Sequence, residues 1–137
     1  MTRARSGMRR SARQLMENAL TLDVNDLLRR GVLARGSWTR GVISWPGPAG
    51  EVAASVSYEA DMASAAGRYL RLRFSTLDPR GGGRRQADQR VALAMTRPGF
   101  GGERWWFVDD GRRVGQLHLP HGGDQFRSRR AYSRRAI

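Results

Sequence analysis

Tyr69-Leu70-Arg71-Leu72-Arg73-Phe74 is the stretch whose reading decides the fold class. Leu70, Leu72 and Phe74 alternate strictly with Tyr69, Arg71 and Arg73, and a period of two marks a strand with one apolar face. The opposite face of this strand carries one aromatic ring and two guanidinium groups. Such a face suits base stacking combined with phosphate clamping. It equally suits a solvated surface on which each arginine has a cross-strand partner.

The same period extends outward in both directions. Trp38, Arg40, Val42 and Ser44 alternate with Thr39, Gly41, Ile43 and Trp45 until Pro46-Gly47-Pro48 breaks the run. Val52, Ala54, Val56 and Tyr58 form a second run, and residues 60–67, rich in Ala, Ser and Gly, make a connection. Beyond Phe74, residues 79–90 read as a glycine-rich loop carrying Arg80, Arg84, Arg85 and Arg90. A nucleotide-binding phosphate loop would need Gly-Lys-Ser/Thr and a following helix, which are missing; a flexible basic loop wrapping a nucleic-acid backbone is expected instead. Val91, Leu93 and Met95 form a fourth strand, ended by Arg97-Pro98-Gly99. Asp110-Gly111 between apolar runs is a strong hairpin signal. Strand 104–108 is expected to return through 112–119, with Trp105 and Phe107 on one face and Trp106 and Val108 on the other.

Upstream of Trp38 the pattern turns helical. Asp23 can cap a short helix with Asp26 in its first turn, Leu27 and Leu28 on its apolar side, Arg29 and Arg30 in its last turn, and Gly31 as its stop. Leu15, Met16, Ala19 and Leu20 permit another short helix before it. Two helices so close invite a helix-turn-helix, with Asn25, Arg29 and Arg30 offered to DNA, although the second helix is barely two turns long. Residues 1–14 carry Arg3, Arg5, Arg9, Arg10 and Arg13 with almost no apolar content and read as a basic arm.

Composition narrows the function. The chain has 137 residues, no cysteine and a net charge of +13. Leu, Ile, Val and Phe make up 26 positions, enough for one modest core. All 25 basic residues are arginine, and the sequence pI is about 11.8. Guanidinium is planar and permanently charged, pairs with phosphate in a bidentate way and stacks on bases. This balance points to a polyanionic partner, nucleic acid before an anionic membrane. No apolar run approaches the ~18 residues of a membrane helix, and no apolar stretch follows the basic start, so neither a span nor a signal peptide is expected.

The last third carries a resemblance. Trp105-Trp106-Phe107-Val108, Gly111-Arg112-Arg113-Val114 and Phe126-Arg127-Ser128-Arg129-Arg130-Ala131-Tyr132 resemble the C-terminal zinc-ribbon-like module of small, uncharacterised bacterial proteins from phages and other mobile elements. In that module an aromatic strand leads into one cysteine knuckle and a second knuckle follows after Gly-Gly. Here Asp109-Asp110 occupies a shortened first knuckle, and Ser128 and Ala131 stand where the second cysteine pair would be. The resemblance implies a ribbon hairpin without metal over 100–127 and a mobile-element origin, and it brings no established activity. His118 and His121, with Asp109, Asp110 and Asp124, are the remaining candidate ligands, but structural zinc favours four Cys or His ligands. No metal and no cofactor are therefore expected. The two histidines are read as exposed strand-end residues. No spacing sets them beside a nucleophile or an orienting carboxylate, so no enzymatic activity is expected either.

The expected fold is mainly β: a single antiparallel sheet or small barrel-like domain with a short N-terminal helix and a metal-free C-terminal ribbon hairpin. A basic arm or short helix over 1–21 precedes the β-rich domain, 22–127, and a basic tail, 128–137, follows it. The expected function is non-enzymatic binding of nucleic acid, DNA or RNA, or of a nucleoprotein complex, mostly through backbone contacts, in the bacterial cytoplasm. Its candidate residues are Tyr69, Arg71, Arg73, Arg84, Arg85, Arg112, Arg113, Arg127, Arg129, Arg130 and Tyr132, the last a stacking ring amid the basic residues of 127–135. The rival is a protein–protein module, such as an inhibitor or accessory subunit, anchored on Trp38, Trp45, Trp105 and Trp106, since tryptophan dominates binding hot spots.

Overall fold

The alternating stretches do form strands, joined in sequence order into one antiparallel meander. The computed structural model describes residues 19–77 and 81–136; the arm at 1–14, the helix start at Leu15 and Met16, and Arg80 lie outside them. The meander consists of β2 (Trp38–Pro46), β3 (Val52–Asp61), β4 (Tyr69–Leu77), β5 (Arg84–Thr96), β6 (Arg104–Asp109) and β7 (Arg112–Val114). It is open, with β2 and β7 at its edges. A second, two-stranded sheet pairs β1 (Leu20–Asp23) with β8 (Gln116–Leu119). Among the described residues there are also two short helices: α1 (Val24–Arg29) and α2 (Arg129–Ala136). No helix among the described residues is long and apolar enough to cross a membrane.

One side of the meander makes the core. Ile43, Val56, Ala60, Leu70, Leu72, Phe74, Val91, Leu93, Trp105 and Phe107 are all buried on that side. The same cluster takes in Leu22, Val24, Leu27, Leu117, Leu119 and Phe126, so β1, α1, β8 and the C-terminal segment supply the second layer. Phe126 lies between Trp45, at 6.3 Å and nearly parallel, and Phe74, edge-on at 5.5 Å. Each fully buried side chain of this size contributes about 2–3 kcal/mol.

The local signals act as expected at two turns. Asp23 caps α1, its carboxylate accepting from the Asn25 and Asp26 backbone N–H groups, and the helix ends before Gly31. Asp110 and Gly111 both adopt positive φ, 52° and 74°, as a two-residue type I′ hairpin between β6 and β7 requires.

Elsewhere the chain departs from expectation for identifiable reasons. The return strand 112–119 is broken at Gly115, whose carbonyl accepts from Val24 N–H at 3.0 Å. After that break β8 leaves the meander and pairs with β1. Leu20 therefore belongs to a strand, in register with Leu119, and a strand rather than a helix precedes α1, which removes the helix-turn-helix. The basic loop is also shorter: β5 begins at Arg84 and pairs with β4 as far as Ala92, so Arg84, Arg85 and Arg90 are strand residues. The Gln89 side chain replaces a neighbouring strand there, donating to the Phe126 carbonyl at 2.8 Å and accepting from its N–H at 2.7 Å.

The C-terminal segment is a docked element. Its Ser128 Oγ accepts from Ala131 N–H at the start of α2, and Ala131 and Tyr132 are buried. Among the described residues the packing thus takes in Leu20 of β1 and Tyr132, which lie beyond either end of 22–127. Asp109 fastens the segment: one oxygen accepts from Arg127 Nε at 2.7 Å and the other from Ser128 N–H at 2.8 Å. Burial tends to raise the Asp109 pKa, but the Ser128 and Arg127 hydrogen bonds outweigh it and hold it below the ordinary carboxylate value. Both side chains are largely shielded, 19% exposed for Arg127 and 10% for Asp109. Asp109→Ala is expected to lower stability by roughly 3 kcal/mol in urea denaturation, because it strands the Arg127 charge. The Asp109 contribution is present at neutral pH and is lost as pH falls through its depressed pKa.

Candidate nucleic-acid interface

The face of the meander opposite the core has no layer over it among the described residues, and none of its side chains whose burial is described is buried. Strand register places its residues in rows. One row crosses all six strands as Trp38, Asp61, Tyr69, Ala92, Val108 and Arg113; the next runs Arg40, Glu59, Arg71, Arg90; a third runs Val42, Ser57, Arg73, Asp88. Arg84 lies toward one end of the face, and Arg104 and Trp106 toward the other. Small residues between them, among them Ser55, Ser75, Ala92 and Ala94, keep the surface low.

Each aromatic on this face carries a guanidinium. Arg40 lies over Trp38 at 5.9 Å, Arg104 over Trp106 at 4.4 Å and Arg90 over Tyr69 at 3.8 Å. Such contacts are worth about 0.5–1 kcal/mol at exposed sites and hold the flexible arginine in place. Trp38 remains half exposed, at 51%. Tyr69 donates its hydroxyl to Glu59 at 3.1 Å.

At the centre the arginines are neutralised within the chain. Arg71 grips Asp88 with two hydrogen bonds, 2.9 and 2.7 Å, and lies 3.7 Å from Glu59. Arg73 donates to Glu59 at 3.0 Å. The Arg71 hydrogen bond holds the Asp88 pKa below its ordinary value, and the same bond raises that of Arg71. Arg71 and Arg73 are therefore not free phosphate clamps but members of a cross-strand network. The third carboxylate of the face, Asp61, accepts from the Ala63 and Ser64 N–H groups in the following turn. Around this centre Arg40, Arg84, Arg90, Arg104 and Arg113 have no carboxylate within ion-pair distance among the described residues. Seven arginines oppose three carboxylates on one uncovered surface.

Of the residues singled out from sequence, Tyr69, Arg71, Arg73, Arg84 and Arg113 meet on this face. Arg112 follows the strand alternation to the other side. Arg85 is paired with Asp124 at 3.0 Å, and Arg127 is the structural partner of Asp109, outside α2 rather than on it. Arg129 and Arg130 are exposed on α2, away from the meander's open face. Tyr132 is 5% exposed and its hydroxyl donates to the Gln125 carbonyl, which takes its ring out of a stacking role. Arg90, expected in a basic loop, joins the open face as a strand residue, whereas Arg40 and Arg104 were not among the candidates. The signal for these two lay in the alternation, since Arg40 and Trp38, like Arg104 and Trp106, are two residues apart on a strand and share a face.

The four tryptophans do not converge. Trp105 is 4% exposed beneath the Arg68 guanidinium, and Trp45 packs on Phe126 with its Nε1 donating to the Thr21 carbonyl. Only Trp38 and Trp106 reach the open face. Among the described residues no three His, Asp or Glu side chains cluster as a metal site. His118, expected at the surface, is 5% exposed with Nδ1 3.1 Å from Thr21 Oγ1, whereas His121 is exposed. No family model matches this chain, and neither the curated proteins nor the solved structures hold a match to it.

Burial, and secondarily Arg129, lower the His118 pKa. A depressed histidine pKa in the folded state means that acid favours unfolding as pH falls through the ordinary value of about 6.5. The melting temperature is expected to drop between pH 7.5 and 5.5, and His118→Gln to flatten that drop. An equal drop in the variant would exclude His118 as its source.

Proposed function

We propose that this chain is a non-enzymatic nucleic-acid-binding protein that uses the open face of its meander. The observation that carries the reading is a face with no layer over it among the described residues, on which five arginines have no carboxylate partner and three of them, Arg40, Arg90 and Arg104, lie over aromatic rings. A charged strand lying across it would meet guanidinium groups laid over ring faces, charge for its phosphates and planar surfaces for its bases, the combination by which single-stranded nucleic acid is held without sequence reading. Exposed ion pairs contribute little, so phosphates also compete for Arg71 and Arg73 at small cost. The resemblance of the last third suggests a mobile-element origin, and an accessory role beside a nucleoid or nucleoprotein fits that origin together with the basic charge. We read the Asp109 contact to Arg127 and Ser128 as the metal-free replacement for the ion that would join the two knuckles.

The test is a salt titration with fluorescent single-stranded DNA, single-stranded RNA and duplex DNA. Neutralising five phosphates of a single strand gives a slope of log affinity on log salt of about −3.5. Arg40→Ala with Arg104→Ala is expected to reduce that slope by about 1.4 and, through the two lost ring contacts, to lower the melting temperature by about 3–8 °C. Failure to bind any of the three at low salt would overturn the proposal. A salt-tolerant, one-to-one complex with a protein instead would favour the rival class.

A further inference from the structure

Beside the open face, the turn between β5 and β6 encloses a solvent-open cavity of about 570 Å³, lined among others by Arg97, Phe100, Glu103, Arg104, Trp106 and Arg113. Its size lies within the range of small-molecule sites, roughly 300–1,000 Å³. The turn Pro98-Gly99-Phe100-Gly101-Gly102 holds Phe100 out at its tip. Gly101 and Gly102 have φ of 98° and 81°, conformations that favour glycine, and Phe100 is 94% exposed. Trp106, also in the lining, is fixed by its Nε1 donating to Thr96 Oγ1 at 2.9 Å, with Arg104 over its ring. The cavity is thus flanked by one exposed ring and by a second ring covered with a guanidinium. Both are surfaces on which a base stacks.

The charge selects the occupant. Glu103 is the one carboxylate among the lining residues, and it lies 3.0 Å from Arg35 and 3.9 Å from Arg97. Arg104 and Arg113 have no carboxylate partner among the described residues, so the cavity is net positive as well as aromatic. An apolar peptide side chain would leave these guanidinium groups unused. A planar base with its phosphate engages the rings and the charges together.

We infer that this cavity receives one unpaired nucleotide of a single strand, its base beside Phe100 and the Arg104–Trp106 pair and its phosphate at Arg113. The inference rests on the proposed function and deepens it, because a base held here must be unstacked and unpaired from its neighbours. It implies that the protein prefers single strands with bases over a polyanion of equal charge.

The experiment compares a fluorescent single-stranded DNA oligonucleotide with its fully abasic counterpart, for the wild type and for Phe100→Ala, with an RNA strand of the same sequence as a third probe. Phe100 is almost fully solvent-exposed, so its truncation leaves the packing intact. The wild type is expected to bind the base-bearing strand about ten-fold more tightly than the abasic one. Phe100→Ala is expected to lose most of that preference while its abasic affinity and salt slope stay unchanged. Tighter binding of DNA or of RNA identifies which strand the cavity takes. A base preference that survives Phe100→Ala would overturn the nucleotide site and leave the proposed function standing, with the open-face rings as its source; equal wild-type affinity for base-bearing and abasic strands would overturn the nucleotide site and reduce the proposed function to its phosphate contacts. Absence of binding to every strand at low salt would overturn both.

Discussion

A six-stranded meander has two faces, and the remaining described segments of this chain cover one of them. The apolar residues of β2 to β6 alternate onto a single side, where β1, α1, β8 and Phe126 close the core. Antiparallel sheets tolerate this arrangement because their other face can remain in water. What stands on that face must then be stable in contact with solvent, and here it is arginine laid over aromatic rings and paired with carboxylates across strands. The one-sided core is thus the condition for the surface that the proposed function uses.

Closing the covered side depends on long-range contacts. β1 meets β8 across most of the described chain, and the C-terminal segment is held by the Gln89 amide and by Asp109. Asp109 is the last residue of the aromatic strand β6, so the strand that carries the buried Trp105 and Phe107 also carries the carboxylate that receives Arg127 and Ser128. Folding of the hairpin and docking of α2 are coupled through that one side chain. The arginine-rich end of the chain therefore divides: Arg127 belongs to the scaffold, while Arg129 and Arg130 face water.

The strands with regular alternation were legible from residues alone, Tyr69–Phe74 above all, as were the Asp23 cap and the Asp110-Gly111 turn. These are local signals. The first half of β5 was not legible, because its core-facing positions are Arg85, Ala87 and Gln89, and only pairing with β4 and the Phe126 backbone makes them strand residues. Nor was β1; β8 lay within the expected strand 112–119, but its partner is too distant for any local pattern to show. Tyr132 was hidden by its basic neighbours. At the candidate interface the sequence showed that Tyr69, Arg71 and Arg73 share a face, and left open whether those arginines were free. Register decided it, since Asp88 comes opposite Arg73 and Glu59 opposite Arg71, and register is a property of the assembled sheet.

The claim that the open face, rather than the total positive charge, binds nucleic acid has a control built into β7. Arg112 and Arg113 are adjacent, exposed and chemically identical, yet alternation sends Arg113 to the open face beside Val108 and Arg112 to the other side beside Asp109. Single-strand affinity should be measured for Arg112→Ala and Arg113→Ala across a salt series. Binding through the open face requires Arg113→Ala to weaken affinity and reduce the salt slope by about 0.7, with Arg112→Ala close to wild type. Equal losses from both, or a larger loss from Arg112→Ala, would contradict it.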